Sequence, residues 1–249
     1  MRKRAGATRP FVTVHPRSLF PVVLTCEHAS RDVPVRFRAT RVLEQVLASH
    51  WGWDPGAWDV TRRVARILGT SAVAGRWSRL WLDLNRAPGD PTMVRERAGE
   101  VVLPWNRRIG PDRIERRVLS VHAPYHAEVD RLILRRVLRG IRPLLFAVHS
   151  FTPVLGRERR PFDIGVLFAR HASLARALGL LLKKDGLSVR YNEPYSGLAG
   201  MMYSAERHGS HHGLPCLELE MNQALFRDPA AGRLLARSVA RALNATSRS

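Results

Sequence analysis

Short apolar runs alternate with stretches of helical periodicity along this chain, and the alternation predicts an α/β fold. The expected architecture is a single domain with a mostly parallel, mixed central sheet flanked by helices on both faces. Two observations carry that prediction. Several runs have the length and the β-branched or aromatic content of strands. Between them, apolar residues recur at three- and four-residue steps, the period of a helix with one buried stripe. No repeat occurs, and no stretch is rich enough in Gly, Pro or Ser to separate two domains.

In order, a basic segment over 1–17 precedes a domain over 18–249. The run PVVLTC (21–26) is the first predicted strand, and helical periodicity follows at 41–49 and 56–68. TSAVAG (70–75) and SRLWLDL (78–84) read as two further strands. The stretch 86–111 has neither period and is long for a connection in a compact domain, which marks it as a functional loop. A long helical segment at 112–139 leads into the strand PLLFAVHS (143–150). FDIGVLFA (162–169), a helix at 171–185, LPCLELEM (214–221) and a helix at 228–245 complete the pattern.

At 249 residues the chain can bury a core without staples. Its two cysteines, Cys26 and Cys216, match no zinc-ribbon or redox spacing, and a reducing compartment is the simplest reading. The N-terminus lacks the apolar stretch of a secretory signal, and no segment approaches the ~20 apolar residues of a membrane helix. Those features read as cytoplasmic. The net charge of +20 is almost wholly arginine, since lysine occurs only at positions 3, 183 and 184. The arginines are scattered through every predicted helix, with no nucleic-acid-binding signature, so an anionic small substrate is preferred to nucleic acid as the partner.

In parallel α/β sheets ligands bind beyond the carboxyl ends of the strands. Four predicted strands end in or carry reactive groups: Glu27-His28, Asn85-Arg86, His149-Ser150, and Glu218 with Glu220. His28 and His149 are natural imidazole ligands for a catalytic zinc, which takes three protein ligands and leaves a position for water. The third ligand is open between Glu27, adjacent in sequence, and Asp54 in H-W-G-W-D-P. Glu27 and His28 converge only if the chain turns after the strand, and Asp54 is equally suited to cap a helix. Asp83 and Asn85 share a face in L-D-L-N-R, and the planar fork of Arg86 suits a carboxylate. One of the two glutamates in L-E-L-E-M would serve as general base. His208, His211 and His212 in R-H-G-S-H-H-G form a second imidazole group, read as a mobile loop between Gly209 and Gly213 and disfavoured as a metal site.

Taken in order, C-E-H-A-S, W-D-P-G-A, S-R-L-W-L-D-L-N-R, H-S-F-T-P, N-E-P-Y-S-G and E-L-E-M resemble the N-formylglutamate amidohydrolase family over roughly residues 18–228, and more closely its N-formylglutamate amidohydrolase-like branch. The resemblance implies a hydrolase related in architecture to zinc carboxypeptidases and aspartoacylase, a phosphorylase/hydrolase-like α/β domain. It implies metal roles for His28 and His149, substrate binding by Asn85 and Arg86, and a base role for Glu220. The His-x-x-Glu metal motif of the relatives is broken here, because Arg31 stands three residues after His28.

The expected activity is metal-dependent hydrolysis of an N-acyl amino acid, such as N-formylglutamate, with Zn2+ or another divalent ion as cofactor. Glu220 is the expected base, and Arg86 would stabilise the oxyanion. Arg79, Asn85, Asn192 and Tyr195 are the candidates to hold the substrate carboxylate. A zinc metallopeptidase, another N-deacylase or a non-enzymatic nucleic-acid-binding protein are the alternatives.

Overall fold

The computed structural model describes residues 9–34 and 40–247. A seven-stranded sheet forms the centre. Its strands are β1 (Phe11–Val14), β2 (Val22–Cys26), β3 (Ser71–Gly75), β6 (Leu144–Phe151), β9 (Ile164–Leu167), β10 (Val189–Tyr191) and β11 (Cys216–Asn222), in the order β1-β3-β2-β6-β11-β9-β10. Two-residue pairs β4 (Arg97–Ala98) with β5 (Val101–Val102), and β7 (Val154–Leu155) with β8 (Glu158–Arg159), decorate the loops. The core strands β3, β2, β6 and β11 are parallel, β1 and β9 pair antiparallel to their neighbours, and β10 is parallel to β9. The sheet is therefore mixed and mostly parallel, as the alternation predicts.

Helices α1 (Arg41–Ala48), α2 (Ala57–Leu68), α3 (Pro111–Arg117), α4 (Ala123–Val137), α5 (Ala172–Lys184), α6 (Tyr203–His212) and α7 (Pro229–Thr246) cover both faces. Alternation along each strand divides the core in two. Val22, Leu24, Phe146, Val148, Leu217 and Leu219 face α2, α5 and α7. Val23, Leu145, Ala147 and Cys216 face α1, α4 and α6. That parity sends His149, Glu218 and Glu220 to the second face.

Four elements depart from the sequence reading. SRLWLDL (78–84) is a string of turns, not a strand. Two of its carbonyls are met by side chains: Leu80 O accepts from Trp105 Nε1 (3.0 Å) and Asn106 Nδ2 (2.8 Å), and Trp81 O from Arg117 (2.8 Å). Those backbone acceptors are satisfied outside any strand ladder. The stretch R-H-G-S-H-H-G is not a loop, because residues through His212 belong to α6, which ends at Gly213 in the left-handed region (φ 61°). Strands β1 and β10 are not among the predicted runs, and β1 takes residues 11–14 of the basic N-terminal segment onto the sheet edge.

The helical segment 112–139 is α3 and α4 joined by a π-helical turn over Val118–His122. Pro124 has no N–H to give to Ser120, and the N–H of Ala123 reaches back to Val118 O instead. Several arginines are internal wiring rather than surface charge. Arg136, fully buried, donates to Phe20 O (2.7 Å), Leu132 O (2.9 Å) and Ser71 Oγ (3.1 Å). Arg117 stacks 3.4 Å from the centroid of the Trp81 ring. Among the described residues, no helix is long and apolar enough to cross a membrane.

Candidate active site

Strand β2 ends at Cys26, and the chain turns at once through Glu27 and His28. The turn brings both side chains onto His149, the sixth residue of the neighbouring strand β6. His28 Nδ1 lies 3.1 Å from His149 Nδ1. Asp54 completes the group, its Oδ2 2.9 Å from His149 Nδ1 and 3.3 Å from His28 Nδ1. The backbone sets this approach, since Asp54 N–H donates to His28 O at 2.9 Å. Asp54 does not cap α2; Gly56 occupies that position without a side-chain bond. Its other oxygen, Oδ1, accepts from Arg79.

The outer nitrogens of both imidazoles face carboxylates. His28 Nε2 donates to Asp83 Oδ1 at 2.7 Å. His149 Nε2 lies 3.0 Å from Glu27 Oε2, an ion-pair contact that is not aligned as a hydrogen bond, and 3.8 Å from Glu218 Oε2. Glu27 Oε1 accepts from Tyr125 OH (3.0 Å) and Ser204 Oγ (2.6 Å). Glu27, expected as a possible metal ligand, thus stands on the outer side of His149, and the convergent set is His28, Asp54 and His149. Asp83 fixes a proton on His28 Nε2, and the charges of Glu27 and Glu218 beside His149 Nε2 favour one there too, which leaves the Nδ1 of each neutral ring as a lone pair.

Two lone pairs and a carboxylate oxygen then converge within about 3 Å, an arrangement that needs a cation between them. Ligands around a tetrahedral zinc at about 2.0–2.1 Å stand roughly 3.3 Å apart, close to the spacing seen here. The donor set therefore fits a divalent metal. Without one, a proton can serve. Burial lowers the pKa of His149, but Glu218 and Glu27 outweigh it and push it up to about 10. His28 moves the other way, to about 4, through burial and the charge of Arg79. Burial works against the charge of Glu27, yet His149 and the Ser204 hydroxyl hold it well below the usual carboxylate range.

Strand β11 lies beside β6 with Glu220 in register with His149. Glu218 and Glu220 are both buried, and the Oε2 of each has no hydrogen-bond partner among the described residues. Burial first, and Glu218 next to it, push Glu220 up to about 8. Gly165 of β9 makes room here: a Cβ there would stand 2.0 Å from Glu193 O and 3.3 Å from Glu220 Cβ.

A cleft of about 260 Å³ opens over the cluster, lined among others by Trp51, Arg79, Asn85, Arg86, Arg95, Tyr195 and Glu220. Arg86 donates to Thr92 Oγ1 (3.1 Å) and Asn85 O (3.3 Å) and has no carboxylate partner among the described residues. Arg79 is committed to Asp54. Asn85 lines the cleft but anchors α6, its Oδ1 accepting from Ser204 N at 2.8 Å. Asn192, a substrate-binding candidate from the sequence, is not on the cleft wall. Its Oδ1 accepts from Phe168 N (3.0 Å) and Gly197 N (3.1 Å), which makes it a loop anchor. Tyr195 does reach the cleft, 3.4 Å from Arg160. Sequence reasoning missed Arg95, His50, Trp51 and the role of Asp83; the irregular stretch 86–111 and the H-W-G-W-D run were the available signals.

Sheet and strand-end cluster together define an α/β protein whose candidate catalytic site lies at the carboxyl edge of its parallel strands. The particular family follows from the match of the N-formylglutamate amidohydrolase model to residues 20–227: the chain belongs to that family, which supports amide hydrolysis as its chemistry. Among solved structures, the chain is similar to gene product Atu2144 from Agrobacterium tumefaciens, with 26% identity over 96% of this chain and 95% of that one and a TM-score of 0.88. It is also similar to N-formylglutamate amidohydrolase from Ralstonia eutropha JMP134, with 18% identity, 97% and 99% coverage and a TM-score of 0.73. A third is a metallo-carboxypeptidase from Burkholderia cenocepacia, with 12% identity, 95% and 60% coverage and a TM-score of 0.39. No curated protein sequence matches the chain.

Proposed function

We propose that this chain is a zinc-dependent amidohydrolase that removes the acyl group, formyl above all, from a small anionic N-acyl amino acid such as N-formylglutamate. The observation that carries the reading is the convergence of His28 Nδ1, His149 Nδ1 and Asp54 Oδ2, each about 3 Å from the others, beneath a cleft lined by carboxylates and arginines. A zinc ion held by these three atoms would supply a Lewis acid and lower the pKa of water bound there.

The rest of the chemistry belongs to the chain. Glu220 is the base. Both Glu218 and Glu220 line the cleft with an unpartnered Oε2, but Glu218 Oε2 lies 3.8 Å from His149 Nε2, which leaves Glu220 as the carboxylate without an imidazole partner. Glu220 takes a proton from the attacking water as the new C–O bond forms. It then returns that proton to the nitrogen as the C–N bond breaks, releasing the acid and the free amino acid. Arg86, which makes no ion pair among the described residues, meets the substrate carboxylate or the developing oxyanion, and Arg95 adds a second positive charge at the wall. Tyr195 lines the same cleft. The cleft volume of about 260 Å³ suits one amino-acid-sized ligand and disfavours a polypeptide.

The test is hydrolysis across N-formyl and N-acetyl amino acids, with zinc content measured on the same protein. Expected are bound zinc, turnover of an N-formyl acidic amino acid, and loss of turnover in Glu220→Gln with zinc retained. Hydrolysis that survives Glu220→Gln, or protein that binds no divalent metal, overturns the proposal.

A further inference from the structure

Between α6 and α4, a second group of histidines is tied into one hydrogen-bonded chain. His126 Nε2 lies 3.1 Å from Leu84 O, and His126 Nδ1 lies 2.8 Å from His208 Nε2. His208 Nδ1 then lies 2.6 Å from Asp130 Oδ1, and the same oxygen is 2.9 Å from His212 Nε2. A carbonyl can only accept, so His126 Nε2 carries the hydrogen. In a neutral ring its Nδ1 is then a lone pair, so His208 Nε2 carries the next one. That order leaves the Nδ1 of a neutral His208 as a lone pair aimed at a carboxylate oxygen 2.6 Å away. Two acceptors at that distance need a proton or a cation. Arg207 already donates to His208 Nδ1 at 3.2 Å and pairs with Asp130 Oδ2 at 3.5 Å, leaving the 2.6 Å gap between His208 Nδ1 and Asp130 Oδ1 itself to a proton or a metal ion.

His208 and His212 are one helical turn apart on α6, the i, i+4 spacing that sets two imidazoles on one face. Asp130 comes from α4, which runs alongside. The His208 side chain is fully buried, while that of Asp130 is 24% exposed, so the group is built from within and open to solvent on one side. Two imidazole nitrogens and one carboxylate oxygen are a zinc donor set that leaves a position for water.

We propose that Asp130, His208 and His212 form a second divalent-metal site, of the zinc class, separate from the strand-end cluster. Its ion replaces the proton between His208 and Asp130, clamps α6 to α4, and through His126 fixes the backbone of the turn that carries Asp83 and Asn85.

The experiment is a titration of chelator-stripped full-length protein with Zn2+ alone, followed by calorimetry and metal analysis. Wild type is expected to bind two equivalents. Asp130→Asn and His212→Gln, both close to the native side chains in size, are each expected to lose one and to keep the other, with circular dichroism confirming the fold. His149→Ala is expected to lose the strand-end equivalent and retain this one. If both Asp130→Asn and His212→Gln bind as many equivalents as wild type, with unchanged affinity, the gap holds only a proton and the proposal fails. Failure of the strand-end reading is distinct: zinc binding would then be insensitive to His149→Ala but still sensitive to His212→Gln.

Discussion

Glu27→Gln keeps the size of a buried side chain and removes its charge, which separates a metal ligand from a carboxylate that steadies one. Glu27 is 1% exposed. Its Oε1 accepts from Tyr125 OH at 3.0 Å and Ser204 Oγ at 2.6 Å, and its Oε2 lies 3.0 Å from His149 Nε2. The carbonyl oxygen of a glutamine can keep both hydroxyl bonds. Its NH2 group then faces the N–H of His149, donor against donor. The 3.0 Å ion-pair contact to His149 Nε2 is lost. Removing an outer partner of a ligating histidine costs roughly 10- to 100-fold in metal affinity, about 1.4–2.8 kcal/mol at about 1.4 kcal/mol per tenfold. Competition against a chromophoric chelator at neutral pH measures the change. Zinc binding that disappears altogether would make Glu27 a ligand, and unchanged affinity would mean that Glu27 does not steady His149; either result refutes the reasoning.

Gly75→Ala should be costly, because a Cβ there would lie 2.3 Å from Glu27 O and 2.7 Å from Leu84 Cδ1. Overpacking of about 1–3 kcal/mol, and a Tm lower by roughly 2–12 °C, are expected by urea and thermal denaturation; wild-type stability would contradict the tight approach of the two chains. Asn192→Ala should destabilise the fold by about 1–3 kcal/mol, since two backbone N–H groups lose their acceptor, while KM for the hydrolysed substrate stays unchanged. A raised KM with normal stability would return Asn192 to the substrate site. Burial pushes the Cys26 thiol up to about 12 and raises Cys216 as well. Neither cysteine should react with a disulfide reagent at pH 8 in the native state, and both should react in urea. The unfolded thiol loses its proton near pH 9 while folded Cys26 keeps its own to about 12, so stability should fall as pH climbs through that window. Stability that rises there, or rapid labelling of native protein, would count against the burial.

Much of the fold was legible because burial writes a period into the chain. VVLTC, SAVAG, LLFAVHSF and CLELEMN are buried along their whole length, and such runs stand out as strands. SRLWLDL has the same composition but not the same fate, since the side chains that take two of its carbonyls come from Trp105, Asn106 and Arg117, 25 or more residues away from the carbonyls they bond. Helix α6 was hidden by its own histidines and Gly209, poor helix formers that the contacts with α4 and β6 override.

At the site, the sequence by itself determined which residue types reach the sheet edge: His28 and His149 at strand ends, and Glu218 and Glu220 together on one face by the two-residue period. It left Glu27 and Asp54 as equal candidates, because adjacency in the chain says nothing about which nitrogen of His149 a carboxylate will meet. Only the tertiary structure decided that. The turn after Cys26 swings Glu27 to Nε2, and the bond from Asp54 N–H to His28 O carries Asp54 to the Nδ1 side. The reason is directional: an imidazole offers its two nitrogens on opposite sides of the ring, so its partners are sorted by three-dimensional approach and not by spacing along the chain.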